Sequence, residues 1–285
     1  MKSVNLIYIL NLFMVITCFS CSKEEEESID YTNYNVEKTI LDVSYGRDSK
    51  QSFDIYLPAN RSKETTKTLI LIHGGAWIEG DKSDMNAIVN VLRKELPNYA
   101  IVNMNYRLAN IDNPAFPMQI NDISYLINSL KKNNYGISDE FGLIGASAGG
   151  HLAMLYTYAI KDKAIKMVCS LIGPTNFADE NYSKDEQFSS LLRIVTGVPF
   201  EKNENYYKHL SPLHQVTEQA PPTIMFYGNQ DPLVPNTQSL DLNNKLTTLS
   251  IYKELYVYDS GHGDWSASDQ VDINKKLVNF IEKKF

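Results

Sequence analysis

The chain has 285 residues, of which 43% are hydrophobic and 21% charged, and its formal net charge is −7. These proportions are ordinary for a globular protein and exclude disorder along most of the chain. Because basic residues are interspersed among the acidic ones and form no basic block, binding to nucleic acid through phosphates is not expected.

The first twenty residues, MKSVNLIYILNLFMVITCFS, predict an export signal (1–20). A lysine near the start precedes an apolar stretch of signal-peptide length, which is too short and interrupted for a membrane span. Cys21 follows directly, and the junction resembles the lipobox of bacterial lipoproteins, in which that cysteine is acylated; Cys18 is a weaker alternative. The resemblance implies membrane contact by a lipid anchor only, at the outer membrane or cell surface. Cleavage by an ordinary signal peptidase, which gives a periplasmic or secreted protein, is the alternative.

Residues 21–37 predict a polar tether. The four glutamates at 24–27 resemble the export tag of some surface lipoproteins and would also serve as a solvated spacer. The remaining cysteine, Cys169, lies in the apolar run MVCSLIG, and residues 38–285 contain no second cysteine with which it could form a disulfide. It is therefore interpreted as a buried core residue.

Residues 38–285 predict one α/β domain. Two strands joined by a glycine-containing turn form an antiparallel hairpin, at 39–45 and 52–58. Continuous apolar runs, which suit strands covered on both faces, predict six more strands at 68–73, 99–106, 141–146, 167–173, 223–228 and 253–259. Helical patterns alternate with them at 83–96, 118–133, 148–160, 236–247 and 270–284. This order predicts a mostly parallel sheet of about eight strands with helices on both faces.

One segment, 174–210, breaks the alternation of strands and helices. It mixes charged residues with many aromatic and aliphatic ones, among them Phe177, Tyr182, Phe188 and Tyr207. We interpret it as a lid inserted over one end of the sheet.

The stretch GASAGGH, residues 145–151, predicts a nucleophilic serine on a sharp turn. It follows a predicted strand and opens a helix near Ala148, at the edge where open α/β sheets bind ligands. Gly145 and Gly149 are sterically required, because a side chain two residues either side of the serine would collide with the neighbouring strand or helix. Ser147 is therefore the candidate nucleophile. Its hydroxyl needs a base and a group that orients the base.

The candidate base is His262, in the glycine-flanked loop of DSGHGDW just beyond the last predicted strand. From this loop the imidazole can reach the same sheet edge as Ser147. The candidate acid is Asp231, directly after a strand in TIMFYGNQDPLVP, where it would orient the imidazole and stabilise the imidazolium. Asp259 and Asp264 are nearer to His262 in sequence, but two or three residues along a loop is an awkward separation for such a pair. Both rank below Asp231.

A further motif, HGGAW at 73–77, supplies candidate donors to a developing oxyanion. It follows the first central strand, and its glycines let bare backbone N–H groups face a carbonyl oxygen. The candidate donors are the amides of Gly75, Ala76 and Ala148, the last favoured by its place at a helix N-terminus.

Taken in order, HGGAW, NYRLA, GASAGGH, the aspartate of GNQDPLVP and the histidine of SGHGDW resemble an α/β-hydrolase-fold serine esterase. The branch is that of carboxylesterases and lipases which includes feruloyl and acetyl xylan esterases, the BD-FAE-like group. The resemblance covers residues 38–285 and implies the triad and oxyanion roles given above. The histidine of HGG is usually structural in that family, and His73 is interpreted in that way. Ala76 stands where many relatives have a third glycine, but its amide is retained.

The resemblance implies ester hydrolysis through an acyl-enzyme, a mechanism that needs no metal and no organic cofactor. Amide cleavage, as in aryl-formamidases and prolyl-peptidase relatives, is an alternative on the same residues. A non-catalytic binding protein on a hydrolase scaffold is a third. The external tether favours esters of environmental carbohydrate, by analogy. Trp77, Trp265 and the aromatic lid predict an apolar acyl or aryl pocket. Aromatic residues also line sugar sites, and core packing of half of them is the alternative.

Overall fold

The structure, a computed structural model, describes residues 33–285 and contains one eight-stranded sheet. The predictions about the export signal, Cys18, Cys21 and the glutamate run lie outside the described residues. The strands are β1 Lys38–Ser44, β2 Ser52–Leu57, β3 Thr68–Ile72, β4 Ala100–Met104, β5 Phe141–Ala146, β6 Ile165–Leu171, β7 Thr223–Gly228 and β8 Lys253–Tyr258. All eight predicted strands are confirmed, with boundaries shifted by at most two residues.

The sheet has the order β1-β2-β4-β3-β5-β6-β7-β8. β1 and β2 form the predicted antiparallel hairpin, and β2 pairs antiparallel with β4. All other neighbours are parallel, so β3 to β8 end at one common edge. The central strands β3 and β4 are buried at every position, which explains their unbroken apolar sequences.

Helices cover both faces of the sheet, as predicted. They are α1 Asn86–Glu95, α2 Met118–Lys132, α3 Ala148–Leu155, α4 Glu180–Lys184, α5 Glu186–Thr196, α6 Glu204–His209, α7 Pro212–Gln215, α8 Asn236–Thr248 and α9 Ala267–Lys284. The apolar sides of α2, α3 and α8 share one core cluster, and those of α1 and α9 share a second on the other face. Within residues 33–285, no helix combines the length and apolar composition that crossing a bilayer requires.

The predicted lid lies between β6 and β7 and is built from α4, α5, α6 and a short 3-10 turn at Phe200–Lys202. The prediction of an aromatic-lined pocket in this segment needs correction. Phe177, Tyr182 and Tyr207 are each no more than 2% exposed and belong to the main core cluster, whereas Phe188 is half-buried against it. Three of the six aromatic residues of the lid are therefore core residues, whereas Phe188, Phe200 and Tyr206 are half-buried.

Candidate active site

Ser147 occupies a sharp turn between β5 and α3. Its backbone has φ 51° and ψ −119°, a conformation that is rarely adopted by residues with a side chain. The turn is held on both sides, because the Ser147 N–H donates to the Leu171 carbonyl at 2.7 Å and the Ser147 carbonyl accepts from the His151 N–H at 3.0 Å. The side chain is thereby presented at the carboxyl edge of the parallel strands.

The two glycines that flank the serine are required by close backbone packing. A Cβ on Gly145 would lie 2.1 Å from the Gly149 carbonyl oxygen. A Cβ on Gly149 would lie 2.1 Å from the Ile72 carbonyl oxygen and 2.4 Å from that of His73. The helix start therefore approaches both its own strand and the end of β3 too closely for any side chain.

Ser147, His262 and Asp231 come together in a hydrogen-bonded chain. The Ser147 Oγ lies 2.8 Å from the His262 Nε2, and the His262 Nδ1 lies 2.7 Å from an oxygen of Asp231. The Asp231 side chain is fully buried, while that of His262 is 20% exposed. Because a carboxylate accepts from Nδ1–H, Nε2 is left as the acceptor of the serine hydroxyl proton.

The loops after β7 and β8 are joined by backbone hydrogen bonds that place Asp231 beside His262. The N–H groups of Asn229 and Gln230 donate to the carbonyls of Tyr258 and Ser260, both at 2.9 Å. The second oxygen of Asp231 accepts from the Leu233 and Val234 N–H groups at 2.7 and 2.9 Å. The carboxylate is thus fixed by its own loop before it meets the imidazole.

The two lower-ranked acids serve the loops. Asp264 accepts from the Gly261 N–H at 2.6 Å, which closes the turn that carries His262. Asp259 is exposed and accepts from the side-chain amide of Gln230 at 2.6 Å. The structure therefore pairs Asp231 with His262, in agreement with the ranking from the sequence.

The HGGAW loop lies against the serine. A Cβ on Gly74 would be 3.2 Å from the Ser147 Cβ. Gly75, Ala76 and Trp77 all have positive φ, at 105°, 47° and 65°. Within residues 33–285, the N–H groups of Gly75, Ala76 and Ala148 donate to no protein acceptor, so all three candidate oxyanion donors are free.

The structure buries Trp77, which corrects its predicted role as a substrate contact, and leaves Trp265 half-buried. Trp77 is only 5% exposed, and its indole meets the rings of His151 and Phe177 edge-on at 5.3 and 5.2 Å. Trp265 is half-buried and packs against the core cluster on the other face of the sheet. The substrate contact of Trp265 stays a prediction.

Two buried histidines support the site without joining the hydrogen-bonded chain. His73 stacks on Tyr106 at 4.3 Å, and burial lowers its pKa, in agreement with its predicted structural role. His151 stacks on Phe177 at 4.2 Å, and its Nε2 donates to the Leu210 carbonyl at 2.8 Å. Burial lowers the pKa of His151 to about 3, so the ring is neutral at physiological pH.

One polar residue near the loop has no counterpart in the sequence-based predictions. Gln119 on α2 is fully buried, and its Nε2 donates to the carbonyls of Trp77 and Arg107 at 2.7 and 2.8 Å. It lies four residues before Ile123, and so on the apolar stripe of α2. A glutamine on the apolar stripe of a helix was the one feature of the sequence that could have indicated a buried, hydrogen-bonded role for this residue.

The sheet order, the serine turn after β5 and the histidine loop after β8 define an α/β-hydrolase fold. The chain belongs to the BD-FAE family, whose model matches residues 53–246.

Among curated proteins, the chain is similar to Esterase LipC of Mycobacterium tuberculosis, at 24% identity over 243 residues, which are 78% of this chain and 59% of that protein. It is similar at 24% identity over 251 residues to isoprenylcysteine alpha-carbonyl methylesterase ICME of Arabidopsis thaliana, covering 81% of this chain and 57% of that one. The alignments with the first three curated relatives span 59%, 50% and 54% of their lengths.

Among solved structures, a truncated carbohydrate esterase from gut microbiota superposes with a TM-score of 0.70 at 20% identity, covering 86% of this chain and 98% of that one. A bifunctional GH43-CE protein of Bacteroides eggerthii superposes with a TM-score of 0.72 at 22% identity, covering 86% of this chain and 38% of that one. Esterase B of Lactobacillus rhamnosis gives 0.62 at 22% identity, covering 88% and 87%. At these identities the similarity establishes the fold.

Proposed function

We propose that this protein is a serine carboxylic ester hydrolase that works through an acyl-enzyme. The observation that carries the proposal is the chain of contacts from Ser147 Oγ to His262 Nε2 at 2.8 Å and from His262 Nδ1 to Asp231 at 2.7 Å. This arrangement supplies the nucleophile, the base and the acid that acyl transfer requires. The names of the curated and solved relatives support ester chemistry in particular.

In the first half-reaction, Ser147 Oγ attacks the ester carbonyl carbon while its proton passes to His262 Nε2. The carbonyl electron pair moves onto oxygen, and the free amides of Gly75, Ala76 and Ala148 are the donors proposed to hold that oxyanion. When the carbonyl re-forms, the bond to the leaving alkoxide breaks. The alkoxide takes the proton from Nε2 and departs as the alcohol.

In the second half-reaction, water replaces the alcohol. His262 Nε2 accepts one proton from water as the oxygen attacks the acyl carbon, which again gives a tetrahedral oxyanion. Collapse breaks the bond to Ser147 Oγ, which recovers the proton from Nε2, and the acid leaves. The 20% exposure of the His262 side chain leaves the imidazole open to solvent, as this step requires. Throughout, Asp231 keeps the proton on Nδ1 and stabilises the imidazolium.

The proposed substrates are short-chain or carbohydrate-linked esters. One solved relative is described as a carbohydrate esterase and another as an acetyl ester-xyloside bifunctional hydrolase, which supports the sugar side of this proposal. The burial of Phe177, Tyr182 and Tyr207 in the core supports a short acyl chain, because these rings are not free to line a long acyl pocket. Comparing p-nitrophenyl acetate with the octanoate ester, and with acetylated xylan, tests both parts.

The role of the acid is tested with a matched pair of variants. Asp231→Asn should lower kcat by about a thousandfold or more, because the amide no longer fixes the tautomer of His262. Asp259→Asn changes an exposed carboxylate in the neighbouring loop and should leave kcat within about twofold. Equal effects of the two substitutions would contradict the assignment of Asp231.

The proposed location is outside the cytoplasm, with Cys21 as the acylated residue. The support is the sequence of residues 1–21, which resembles a lipoprotein signal with its lipobox cysteine. In cells fed a labelled fatty acid, Cys21→Ala should abolish labelling of the protein, whereas Cys18→Ala should retain it. The reverse pattern would assign the anchor to Cys18, and no labelling of the wild-type protein would favour a periplasmic or secreted form.

A further inference from the structure

Four of the five backbone carbonyls of the HGGAW loop, those of His73, Gly74, Gly75 and Trp77, accept hydrogen bonds in the described part of the chain. The single hydroxyl proton of Tyr106 is shared between the carbonyls of His73 and Gly74, at 2.9 and 3.2 Å, and the Gly74 carbonyl also lies 2.7 Å from His73 Nδ1. The carbonyl of Gly75 accepts from the N–H groups of Ile78 and Glu79, at 3.0 and 2.9 Å. In a trans peptide the N–H points opposite to the preceding carbonyl, so each anchored carbonyl also aims one N–H.

The Trp77 carbonyl has two donors from outside the loop. One is the N–H of Ala109 at 2.9 Å, and the other is the side-chain amide of Gln119 at 2.7 Å. The second proton on the same nitrogen of Gln119 goes to the Arg107 carbonyl at 2.8 Å. Because both partners are carbonyl oxygens, only the nitrogen of this amide can face them, which fixes its orientation.

These contacts form a relay from α2 to the amide of Ala76. Gln119 fixes the Trp77 carbonyl, and the planar Trp77–Ile78 peptide then directs the Ile78 N–H to the Gly75 carbonyl at 3.0 Å. With that carbonyl held, the Gly75–Ala76 peptide leaves the Ala76 N–H on its opposite side. This is the amide that donates to no protein acceptor in the described part of the chain.

We propose that Gln119 is a positioning residue for the oxyanion donor at Ala76, acting through the Trp77 carbonyl. The inference rests on the proposed function, since it names a residue that prepares the site for the tetrahedral intermediate. The positive φ of Ala76 and Trp77 explains the need for an external clamp, because residues with side chains leave this region unless their surroundings hold them there. The buried indole of Trp77 holds the same residue from its other end.

The test compares Gln119→Met with Gln51→Met in the full-length protein. Methionine has nearly the shape of glutamine but cannot donate. Gln51 is a matched control, because it too is a buried glutamine whose Nε2 donates, in its case to Asp122 at 2.8 Å, and it does not contact the HGGAW loop. Gln119→Glu is a second variant that keeps a polar group of the same size but cannot donate when ionised.

For p-nitrophenyl acetate, Gln119→Met and Gln119→Glu should lower kcat by about tenfold or more with KM within about twofold. This is less than the hundredfold to thousandfold, roughly, that loss of a direct oxyanion donor costs. The Ki of a boronic acid, whose tetrahedral adduct with Ser147 places an oxygen at the oxyanion position, should rise by the same factor. Gln51→Met should change neither value, even where its thermal stability falls.

An active wild-type enzyme together with unchanged kcat and boronic acid Ki in both Gln119 variants would overturn the role of Gln119 and leave the proposed function intact. Equal losses in Gln119→Met and Gln51→Met would overturn it as well, because the effect would then be general destabilisation. A folded wild-type protein that turns over no ester would remove the proposed function, and this inference with it.

Discussion

Individual residues of the site are held in conformations that only their neighbours make tolerable. Ser147, Ala76 and Trp77 all have positive φ, and each such residue costs on the order of 1–3 kcal/mol relative to relaxed backbone. The cost is offset locally by hydrogen bonds to the neighbouring carbonyls and amides and by the absence of side chains at Gly145 and Gly149. Strain of this kind therefore marks the residues that the site needs in fixed positions.

Gly149→Ala should disrupt the site through the backbone. The new Cβ would lie 2.1 Å from the Ile72 carbonyl oxygen, so the helix start and the end of β3 must move apart. We expect a loss of about 3 kcal/mol in the free energy of unfolding, measured in urea, and a fall of at least about tenfold in kcat. Gly46→Ala is the comparison for kcat: its new Cβ would meet the buried Gln51 side chain, which is hydrogen-bonded to Asp48 and Asp122, so it should lower stability but leave kcat within about twofold, because it does not lie at the serine turn. Full activity of Gly149→Ala would show that the serine turn does not need a residue without a side chain at position 149.

His151 should make the protein less stable in acid. Burial lowers its pKa to about 3 in the folded protein, from an ordinary value of 6.5. Below pH 6.5 the imidazole is therefore protonated in the unfolded chain but stays neutral in the folded one. The contribution of His151 to the free energy of unfolding is at its highest above pH 6.5 and falls progressively as the pH falls toward 3.

Between pH 7 and pH 5, the free energy of unfolding of the wild-type protein should fall by about 2 kcal/mol more than that of His151→Gln. Urea unfolding of both proteins at the two pH values measures this difference. All other titrating groups are common to the two proteins and cancel in the comparison. Identical pH dependence would show that His151 does not stay neutral in the fold.

The sequence reveals some residues of the site and conceals others. Ser147 lies in a motif whose glycines have a steric cause, and Asp231 and His262 directly follow strands that end at one edge. Gln119 could not be assigned a partner, because its two acceptors are backbone carbonyls 42 and 12 residues away that only the folded loop brings to it. Every residue has a backbone carbonyl, so the sequence does not indicate which carbonyl such a side chain will contact.

At the scale of elements, the strands and helices were predictable but the packing of the lid was not. Strands buried between two layers have unbroken apolar runs, and a helix packed on a sheet has an apolar stripe, as in α2. Both patterns can be recognised from neighbouring residues alone. An aromatic residue in an irregular segment can line a pocket or fill a core, and its sequence is the same in both cases. Phe177 stacks on His151 of α3, and Thr175 at the start of the same segment hydrogen-bonds to Gln238 of α8, so this part of the segment belongs to the core.

The lid should therefore unfold together with the sheet. Phe177 is fully buried and stacks on His151 at 4.2 Å, so Phe177→Ala should lower the free energy of unfolding by about 3–5 kcal/mol. Phe188→Ala, at a half-buried ring of the same segment, should cost clearly less. Circular dichroism and tryptophan fluorescence in urea should report one shared transition. A separate early transition confined to residues 174–210 would contradict the view that this segment is part of the core.

At the scale of the whole molecule, the sheet topology brings distant segments to one edge. β3, β5, β7 and β8 are parallel, so the HGGAW loop, Ser147, Asp231 and His262 all leave the same end of the sheet. The described chain enters at the opposite end, where Arg61 donates to the carbonyls of Asn33, Val36 and Tyr135. This convergence could be predicted, because the sequence shows which strands are parallel and which motif follows each strand. The distances between the side chains could not be predicted from the sequence.

The proposed function requires Ser147 to be an activated nucleophile. Titration of the folded protein with a fluorophosphonate probe, followed by mass spectrometry, tests it most directly. We expect one phosphonyl group per molecule, located on the peptide that contains residues 145–151. Hydrolysis of p-nitrophenyl acetate should fall in proportion to labelling, and Ser147→Ala should not be labelled. A folded wild-type protein that takes up no probe, or that is labelled equally in Ser147→Ala, would contradict it.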